Sequence, residues 1–244
     1  MSAFDSYLTA VRDQLDQTTS RQRPQIEQAA SWVADALQAE RFIYAFGTGH
    51  SHMVAEEIFY RAGGLARVIP ILHGPLMLHQ AAAESTTLER RLGYAEELLK
   101  SYPVGKGDVL IVASNGGRNA VPIEITQLAR SRGARTIALT SLIQTQAWPS
   151  RHPSGLKLAD VAELVLDNGV QGGDAVVSIP GLAEKVGPTS SILSLTLINL
   201  ILVQAAEMAV GRGTSPEVFI SSNAGGDEHN NDLIQRFRVS NPHL

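Results

Sequence analysis

Three short segments of the chain combine glycines with hydroxyl and amide side chains, a mixture suited to holding an anion. They occupy residues 47–51, 114–119 and 187–191. Glycine lets the backbone approach a ligand closely, and free N–H groups at the start of a following helix favour negative charge. We therefore predict one anion-binding site built from all three segments. Its candidate ligand-binding residues are Gly47, Thr48, Gly49, Ser51, Ser114, Asn115, Gly116, Gly117, Asn119, Thr189, Ser190 and Ser191.

Each segment also has a purely structural explanation. A glycine-rich turn reverses the chain between a strand and a helix whether or not it binds a ligand. Asn119 precedes a predicted helix and would serve as its N-cap, a role that is compatible with anion binding. The presence of all three segments in one chain favours the functional interpretation.

The composition argues against several classes of function. Cysteine is absent, which rules out disulfides and thiolate chemistry, and no acidic partner stands at metal-ligand spacing from His50 and His52. We predict no metal and no cofactor. The net charge of −4 and the lack of an Arg-rich stripe argue against a nucleic-acid partner. No apolar run approaches the ~20 residues that span a bilayer, so we expect a cytoplasmic chain without a membrane partner.

The pattern of apolar residues predicts the elements that position these segments. Apolar runs rich in β-branched residues predict strands at residues 42–46, 67–71, 109–113, 136–140 and 161–166. Periodic segments predict helices at residues 1–20, 24–40, 51–62, 87–101, 119–132 and 189–210. The alternation predicts an α/β fold, a five-stranded parallel sheet with helices on both faces, preceded by N-terminal helices. Ligands bind beyond the carboxyl ends of such strands, where the first two segments lie.

Over residues 41–210 the sequence resembles the SIS (sugar isomerase) family of phosphosugar isomerases and phosphosugar-binding regulators. The stretch VLIVASNGGRNAVPIEITQLARSRGARTIALTS, residues 109–141, resembles the strand, phosphate loop, helix and strand of that family. The stretch VGPTSSILSLTLINLILVQAAEMAV, residues 186–210, is similar to the closing helix of arabinose-5-phosphate isomerases. The resemblance implies that these segments line a sugar-phosphate site, with Thr48 and Ser51 near the sugar.

The same resemblance implies the arrangement of the chain. It places a flavodoxin-like SIS domain at residues 41–212, after an N-terminal helical arm at residues 1–40. A tail at residues 213–244 follows and is expected to contribute to the site. Many family members carry hydroxyl side chains where this sequence has Gly116 and Asn119. Backbone donors would therefore contribute more to phosphate binding here.

Two catalytic candidates come from the resemblance. Moving a carbonyl along a sugar needs a group that removes a proton from one carbon and returns it to the next. The interval between His73 and His79 matches a His pair in arabinose-5-phosphate isomerases whose second member is catalytic, although Lys185 replaces another functional His of that family. Glu84 resembles the position of a catalytic Glu in N-acetylmuramic acid 6-phosphate etherases. It also fits an ordinary carboxylate at a helix start.

The tail supplies two further candidates. Polar residues 227–230 follow a glycine pair at residues 225–226. In SIS enzymes a neighbouring subunit often completes the site, so we predict that Glu228 or His229 reaches a sugar site, in its own chain or across a dimer. A solvated acidic tail is the alternative.

Together these observations predict a phosphosugar-binding protein, with aldose–ketose isomerisation as the first hypothesis. A sugar-phosphate lyase that uses Glu84 and a phosphosugar sensor without turnover are the alternatives. The last predicted helix is apolar nearly all round, which predicts a homodimer or tetramer because a monomer would expose part of that surface.

Overall fold

The structure, a computed structural model, describes residues 2–244. Its main sheet consists of β1 (Ile43–Gly47), β2 (Val68–Ile71), β3 (Val109–Ala113), β4 (Arg135–Thr140) and β5 (Leu164–Asp167). The strands run parallel in the order β2-β1-β3-β4-β5. This is the order of flavodoxin-like sheets, so the predicted fold class is confirmed.

Helices cover both faces of this sheet. They are α1 (Ala3–Gln38), α2 (Met53–Glu57), α3 (Leu78–Leu88), α4 (Tyr94–Leu98), α5 (Ala120–Ser131), α6 (Leu142–Ala147), α7 (Leu158–Val161), α8 (Ser190–Gly211) and α9 (Asp227–Phe237). One apolar core packs α1, α2 and α8 against the sheet, and a second packs α4, α5 and α7. Ile43 and Ala45 of β1 face the first core, whereas Tyr44 and Phe46 face the second. Burial on both faces explains why the strands are continuous apolar runs.

Three predicted boundaries were wrong, each for a local reason. The predicted helix at residues 51–62 contains only α2, which ends at Glu57, and Tyr60 has a positive φ of 40°. The predicted helix at residues 87–101 is divided between α3, which ends at Leu88, and α4, which follows Gly93 in the left-handed conformation with φ 76°. That conformation interrupts helical hydrogen bonding, and glycine adopts it at little cost. The predicted strand at residues 161–166 starts later, because α7 runs to Val161 and Ala162 is extended.

The two predicted N-terminal helices form one continuous helix, α1, which includes Pro24. Proline removes one N–H group and crowds the preceding turn. Contacts on both sides of Pro24 hold the helix in place. Before it, Arg21 donates to the Asp167 carboxylate at 2.9 Å. After it, Ile26 and Ala29 pack into the first core.

Helix α8 follows a small antiparallel pair, β6 (Ala175–Val177) and β7 (Val186–Pro188). Within residues 2–244, α8 alone is long and apolar enough to cross a membrane by length and composition. The helix packs against α1 and the sheet, as core helices of globular domains do. Leu200, Val203 and Val210 remain exposed on its outer side.

The tail packs at the amino edge of the sheet. Phe219, Leu233 and Phe237 form a small core with Ala66, and Phe42 packs against them. Phe42 and Ala66 lie just before β1 and β2. Helix α9 is therefore remote from the carboxyl edge of the sheet in its own chain.

Candidate functional site

A cavity of about 270 Å³ lies at the carboxyl edge of the sheet. Parts of all three glycine- and hydroxyl-rich segments reach it, together with a residue that precedes β6. Its polar lining consists of His50, Ser51, Asn115, Asp174, Ser190, Ser191 and Ser194. The structure therefore brings together segments that are more than 130 residues apart in the sequence. Ligands of open parallel sheets bind at this edge, where the strand order reverses between β1 and β3.

The buried side chain of Asn168, directly after β5, ties two walls of this cavity together. Its Nδ2 donates to Asn115 Oδ1 at 2.7 Å and to Ser194 Oγ at 3.1 Å. Its Oδ1 accepts a hydrogen bond from the Val170 N–H at 3.2 Å. One amide side chain thus fixes the position of the turn after β3 relative to the first half of α8.

Replacing Asn168 with alanine is expected to lower the free energy of unfolding by about 1–3 kcal/mol, because buried hydrogen-bonding groups lose their partner. Urea denaturation measures this change. Asn223 is exposed in the tail, and N223A is the matched control, expected to stay within about 0.5 kcal/mol of the unsubstituted protein. Equal stability of the two variants would contradict the bridging role.

A carboxylate of the protein itself occupies the start of α8. Asp174 accepts hydrogen bonds from the backbone N–H groups of Thr189 at 3.0 Å and Ser190 at 2.8 Å, and from the Ser190 hydroxyl at 2.6 Å. The Thr189 hydroxyl donates to Gln14 of α1 at 2.8 Å. Two of the predicted ligand-binding residues are therefore engaged within the protein. An anion therefore cannot use the Thr189 and Ser190 N–H groups while Asp174 holds them.

A second polar cluster joins the turns after β1 and β3. Glu89, the residue that follows α3, accepts a hydrogen bond from the Thr48 hydroxyl at 2.5 Å. It accepts another from Asn119 Nδ2 at 2.5 Å, and Arg151 donates to Asn119 Oδ1 at 3.0 Å. The Asn119 side chain makes these bonds instead of capping α5. Thr48 and Asn119, both predicted from the sequence, thus meet at one carboxyl group.

Burial raises the pKa of Glu89 above its ordinary value. The hydrogen bond from Thr48 and the charges of Arg90 and Arg151 oppose this rise without cancelling it. A carboxyl group with a raised pKa is a better proton acceptor and donor near neutral pH than an exposed one. Glu89 is therefore the strongest candidate for proton transfer at this edge of the sheet.

The raised pKa also affects stability. Between the pKa of the unfolded chain and that of the folded protein, the folded state retains a proton that the unfolded state has released. The free energy of unfolding therefore falls as the pH rises through this interval. We expect the melting temperature of E89Q, minus that of the unsubstituted protein, to become more positive as the pH rises above the ordinary pKa of glutamate, about 4.3. A difference that is flat with pH, or that falls, would contradict the raised pKa.

The remaining residues of the first two segments shape the turns. A Cβ atom on Gly47 would lie 2.3 Å from the Ser51 carbonyl oxygen, so only glycine fits there. Gly49 and Gly117 adopt φ angles of 55° and 56°. The Ser114 hydroxyl accepts a hydrogen bond from the Gly117 N–H at 3.2 Å. The Gly116 carbonyl oxygen accepts a hydrogen bond from a neighbouring threonine hydroxyl at 3.3 Å.

The structure does not bring the four predicted catalytic residues into the cavity of their own chain. His79 is exposed on α3, with its ring 6.4 Å from the ring of His52. Glu84 is exposed further along the same helix. Glu228 and His229 are exposed on α9, where His229 Nε2 lies 2.8 Å from the Val218 carbonyl oxygen. Their contribution to the cavity of a neighbouring subunit stays a prediction.

Sequence reasoning missed Glu89, Asn168 and Asp174. Glu89 stands beside two arginines in the sequence, so it looks like part of a solvated charged surface. Asn168 carried a usable signal, because it directly follows a predicted strand and amide side chains at strand ends often contact ligands. Asp174 follows a glycine pair, but nothing in the sequence relates it to α8. Within residues 2–244, no group of three or more His, Asp or Glu side chains could hold a metal ion.

Comparison with known sequences gives consistent matches. The family profile of the SIS domain matches residues 6–141. A UPF0309 protein of Brucella canis is 44% identical over 241 residues, covering 98% of each chain. A UPF0309 protein of Listeria innocua is 39% identical over 242 residues, covering 99% of this chain and 98% of the relative.

Solved structures share the fold at low sequence identity. A phosphoheptose isomerase from Francisella tularensis has a TM-score of 0.53 at 16% identity, covering 85% of this chain and all of that one. Phosphoheptose isomerase GmhA from Neisseria gonorrhoeae has a TM-score of 0.51 at 18% identity, covering 84% and 97%. The NanR protein of Vibrio vulnificus, complexed with ManNAc-6P, has a TM-score of 0.52 at 17% identity, covering 98% and 70%.

Proposed function

Because the chain belongs to the SIS-domain family, we propose that it binds a phosphorylated sugar at the carboxyl edge of its sheet and interconverts the aldose and ketose forms. The observation that carries this proposal is the convergence of the turns after β1 and β3 on both a polar cavity and the Glu89 carboxyl group. The first provides room for a sugar, and the second is a proton-transfer group held by the same two turns.

The chemistry assigned to Glu89 follows from its environment. An aldose–ketose interconversion removes a proton from the carbon beside the carbonyl and returns a proton to the former carbonyl carbon. Ionised Glu89 would accept the first proton, and protonated Glu89 would donate the second. Hydrogen bonds from Thr48 and Asn119 fix the position of the carboxyl group, which is a requirement for efficient transfer. Among the predicted catalytic residues, His79 lies nearest to the turn after β1 and would assist at the sugar oxygens.

A phosphosugar sensor without turnover is the second candidate. The NanR structure matches 98% of this chain and contains ManNAc-6P, so a related fold binds a sugar phosphate in that protein. The carboxyl group of Glu89, hydrogen-bonded by two of the predicted site residues, favours the enzyme, because buried acidic groups with raised pKa values are frequent at catalytic sites.

Two experiments separate these functions. Thermal shift with a panel of phosphorylated aldoses, ketoses and amino sugars identifies ligands, since a ligand at 100 times its Kd stabilises the folded state by about 2.7 kcal/mol. Exchange of solvent deuterium into the sugar, followed by NMR, then reports proton transfer. Stabilisation with exchange supports the isomerase. Stabilisation without exchange by every ligand leaves the sensor, and no stabilisation by any sugar phosphate overturns both.

The assembly and location belong to the same proposal. We expect a cytoplasmic homodimer or tetramer, in which a neighbouring chain covers the exposed apolar residues of α8, including Val203. Glu228 and His229 would then approach the cavity of the partner. Molar mass from light scattering tests the assembly, and a monomer at micromolar concentration would contradict it.

A further inference from the structure

One face of the first half of α1 contacts the chain segments that build the cavity. Its polar side chains are separated by seven, four and three residues, so they lie on the same side of the helix. They are Tyr7, Gln14, Thr18 and Arg21. Their partners lie at the end of β5, residues 167–168, and at the start of α8, residues 188–189. The predicted N-terminal arm therefore touches the walls of the candidate site.

Two hydrogen bonds connect α1 to the α8 side of the cavity. The Tyr7 hydroxyl donates to the Pro188 carbonyl oxygen at 2.8 Å, and the Thr189 hydroxyl donates to Gln14 Oε1 at 2.8 Å. Pro188 lines the cavity, and the Thr189 N–H is one of the donors that hold Asp174. Tyr7 and Gln14 are not part of the cavity lining, so they would act on a ligand through these neighbours.

Two further contacts connect α1 to the end of β5. The Thr18 hydroxyl donates to the Asn168 carbonyl oxygen at 3.3 Å, and Arg21 donates to the Asp167 carboxylate at 2.9 Å. Asn168 is the residue whose side chain joins the turn after β3 to α8. The same face of α1 therefore holds both the start of α8 and the residue that fixes its position.

Glycines allow α1 to approach closely at both places. A Cβ atom on Gly187 would lie 2.7 Å from Cδ2 of Tyr7. A Cβ atom on Gly169 would lie 2.5 Å from Oγ1 of Thr18. Distances this short are overpacked, so a larger residue at either position would displace the helix. The fit of α1 against the site thus depends on residues of both partners.

The two halves of α1 are held by different kinds of contact. Among residues 3–23, only Thr18 and Gln22 are buried, whereas Ile26 and Ala29, after the proline, belong to the first core. Segments with few buried apolar contacts open at a lower free energy than segments that pack in a core. The first half of α1 can therefore separate from the site while the second half stays packed.

We propose that the first half of α1 is a positioning element of the ligand site, in which Tyr7 and Gln14 fix the start of α8. This inference rests on the proposed function, because it assigns both side chains to the same site. Docking of α1 and binding of ligand are then coupled. A ligand that needs the α8 wall in place stabilises the docked helix, and loss of docking weakens that ligand by the same factor.

Hydrogen–deuterium exchange of the full chain without ligand tests the positioning role. Y7F/Q14L removes the hydroxyl donor and the amide acceptor but nearly keeps the size of both side chains. The backbone amides of Thr189 and Ser190 should then exchange roughly threefold to tenfold faster, the effect of losing one neutral hydrogen bond. Q14E alone keeps an acceptor for the Thr189 hydroxyl and should exchange like the unsubstituted protein. Q28L is the matched control, because Gln28 is exposed on the second half of α1. Melting temperatures verify that each variant folds.

Calorimetric titration with arabinose 5-phosphate and N-acetylmannosamine 6-phosphate measures the coupling. A probe that binds the unsubstituted protein should bind Y7F/Q14L roughly threefold to tenfold more weakly and bind Q28L equally well. The same probe at saturation should slow amide exchange across residues 3–22, because undocking of this segment would then require release of the probe.

The outcomes distinguish this inference from the proposed function. If Y7F/Q14L leaves amide exchange at the start of α8 unchanged, the role of α1 is wrong and the proposed function is unaffected. If exchange there rises but no sugar phosphate binds the unsubstituted protein, the role of α1 in holding α8 stands and the proposed function fails. A probe that binds without slowing exchange across residues 3–22 overturns the coupling.

Discussion

The E89Q variant should still bind sugar phosphate but exchange its carbon-bound proton about 10²–10⁴-fold more slowly, because a positioned acid–base group contributes that much to such a step. Glutamine has nearly the same shape and can still accept the hydrogen bond from Thr48. It has no ionisable proton at neutral pH. The measurement is solvent deuterium exchange under saturating ligand, with calorimetry to establish that binding persists.

E84Q is the matched control, because Glu84 lies on the preceding helix, is exposed and undergoes the same chemical change. We expect its exchange rate to stay within about twofold of that of the unsubstituted protein. The acidic limb of the pH–rate profile should lie above the ordinary pKa of glutamate, since the base must be ionised and burial raises its pKa. Full activity in E89Q would contradict the role of Glu89. Loss of activity in E84Q alone would transfer that role to Glu84 and favour the lyase.

The second large effect is expected from G47A, a substitution at the end of β1. The added Cβ would lie 2.3 Å from the Ser51 oxygen and 2.8 Å from the His52 nitrogen. Both are backbone atoms, so the whole turn that carries Thr48 and Ser51 must move. Overpacking of this kind costs about 1–3 kcal/mol or more, and each kcal/mol lowers the melting temperature of a chain of this size by roughly 2–4 °C.

Displacement of that turn should also remove ligand binding, because Thr48 contacts Glu89 and Ser51 lines the cavity. G116A provides the stability control in the neighbouring turn, since its Cβ would meet Arg118 only at ordinary contact distances of 3.7 and 3.8 Å. A G47A protein with an unchanged melting temperature would show that the turn relaxes without cost.

The main sheet was predictable because a strand that is buried on both faces consists of consecutive apolar residues, which can be recognised in the sequence. The run at residues 109–113 is apolar throughout, and the structure makes every one of these residues part of β3. The strand ends then located the turns after β1 and β3, which are flanked by glycine. By contrast, the apolar spacing extended one helix through Gly93, where the structure has the start of α4, because a left-handed backbone angle does not fit inside an α-helix.

The proton-transfer candidate was not predictable in the same way. Glu89 derives its properties from Thr48 and Asn119, which are 41 and 30 residues away in the sequence. Its burial and its raised pKa exist only once α3 has packed across the two turns. Sequence spacing instead drew attention to Glu84 and His79, which share the helix with the segment before Glu89 but face outward. The sequence thus pointed to α3, but it did not identify Glu89 as the side chain that contacts the two turns.

Asp174 places a negative charge on one wall of the cavity. Its carboxylate lines the cavity beside the start of α8. A sugar with a single phosphate should therefore bind with its uncharged hydroxyl groups, and not its phosphate, toward Asp174. A sugar that carries phosphates at both termini would bring one of them against the carboxylate, so the protein should discriminate strongly against bisphosphates.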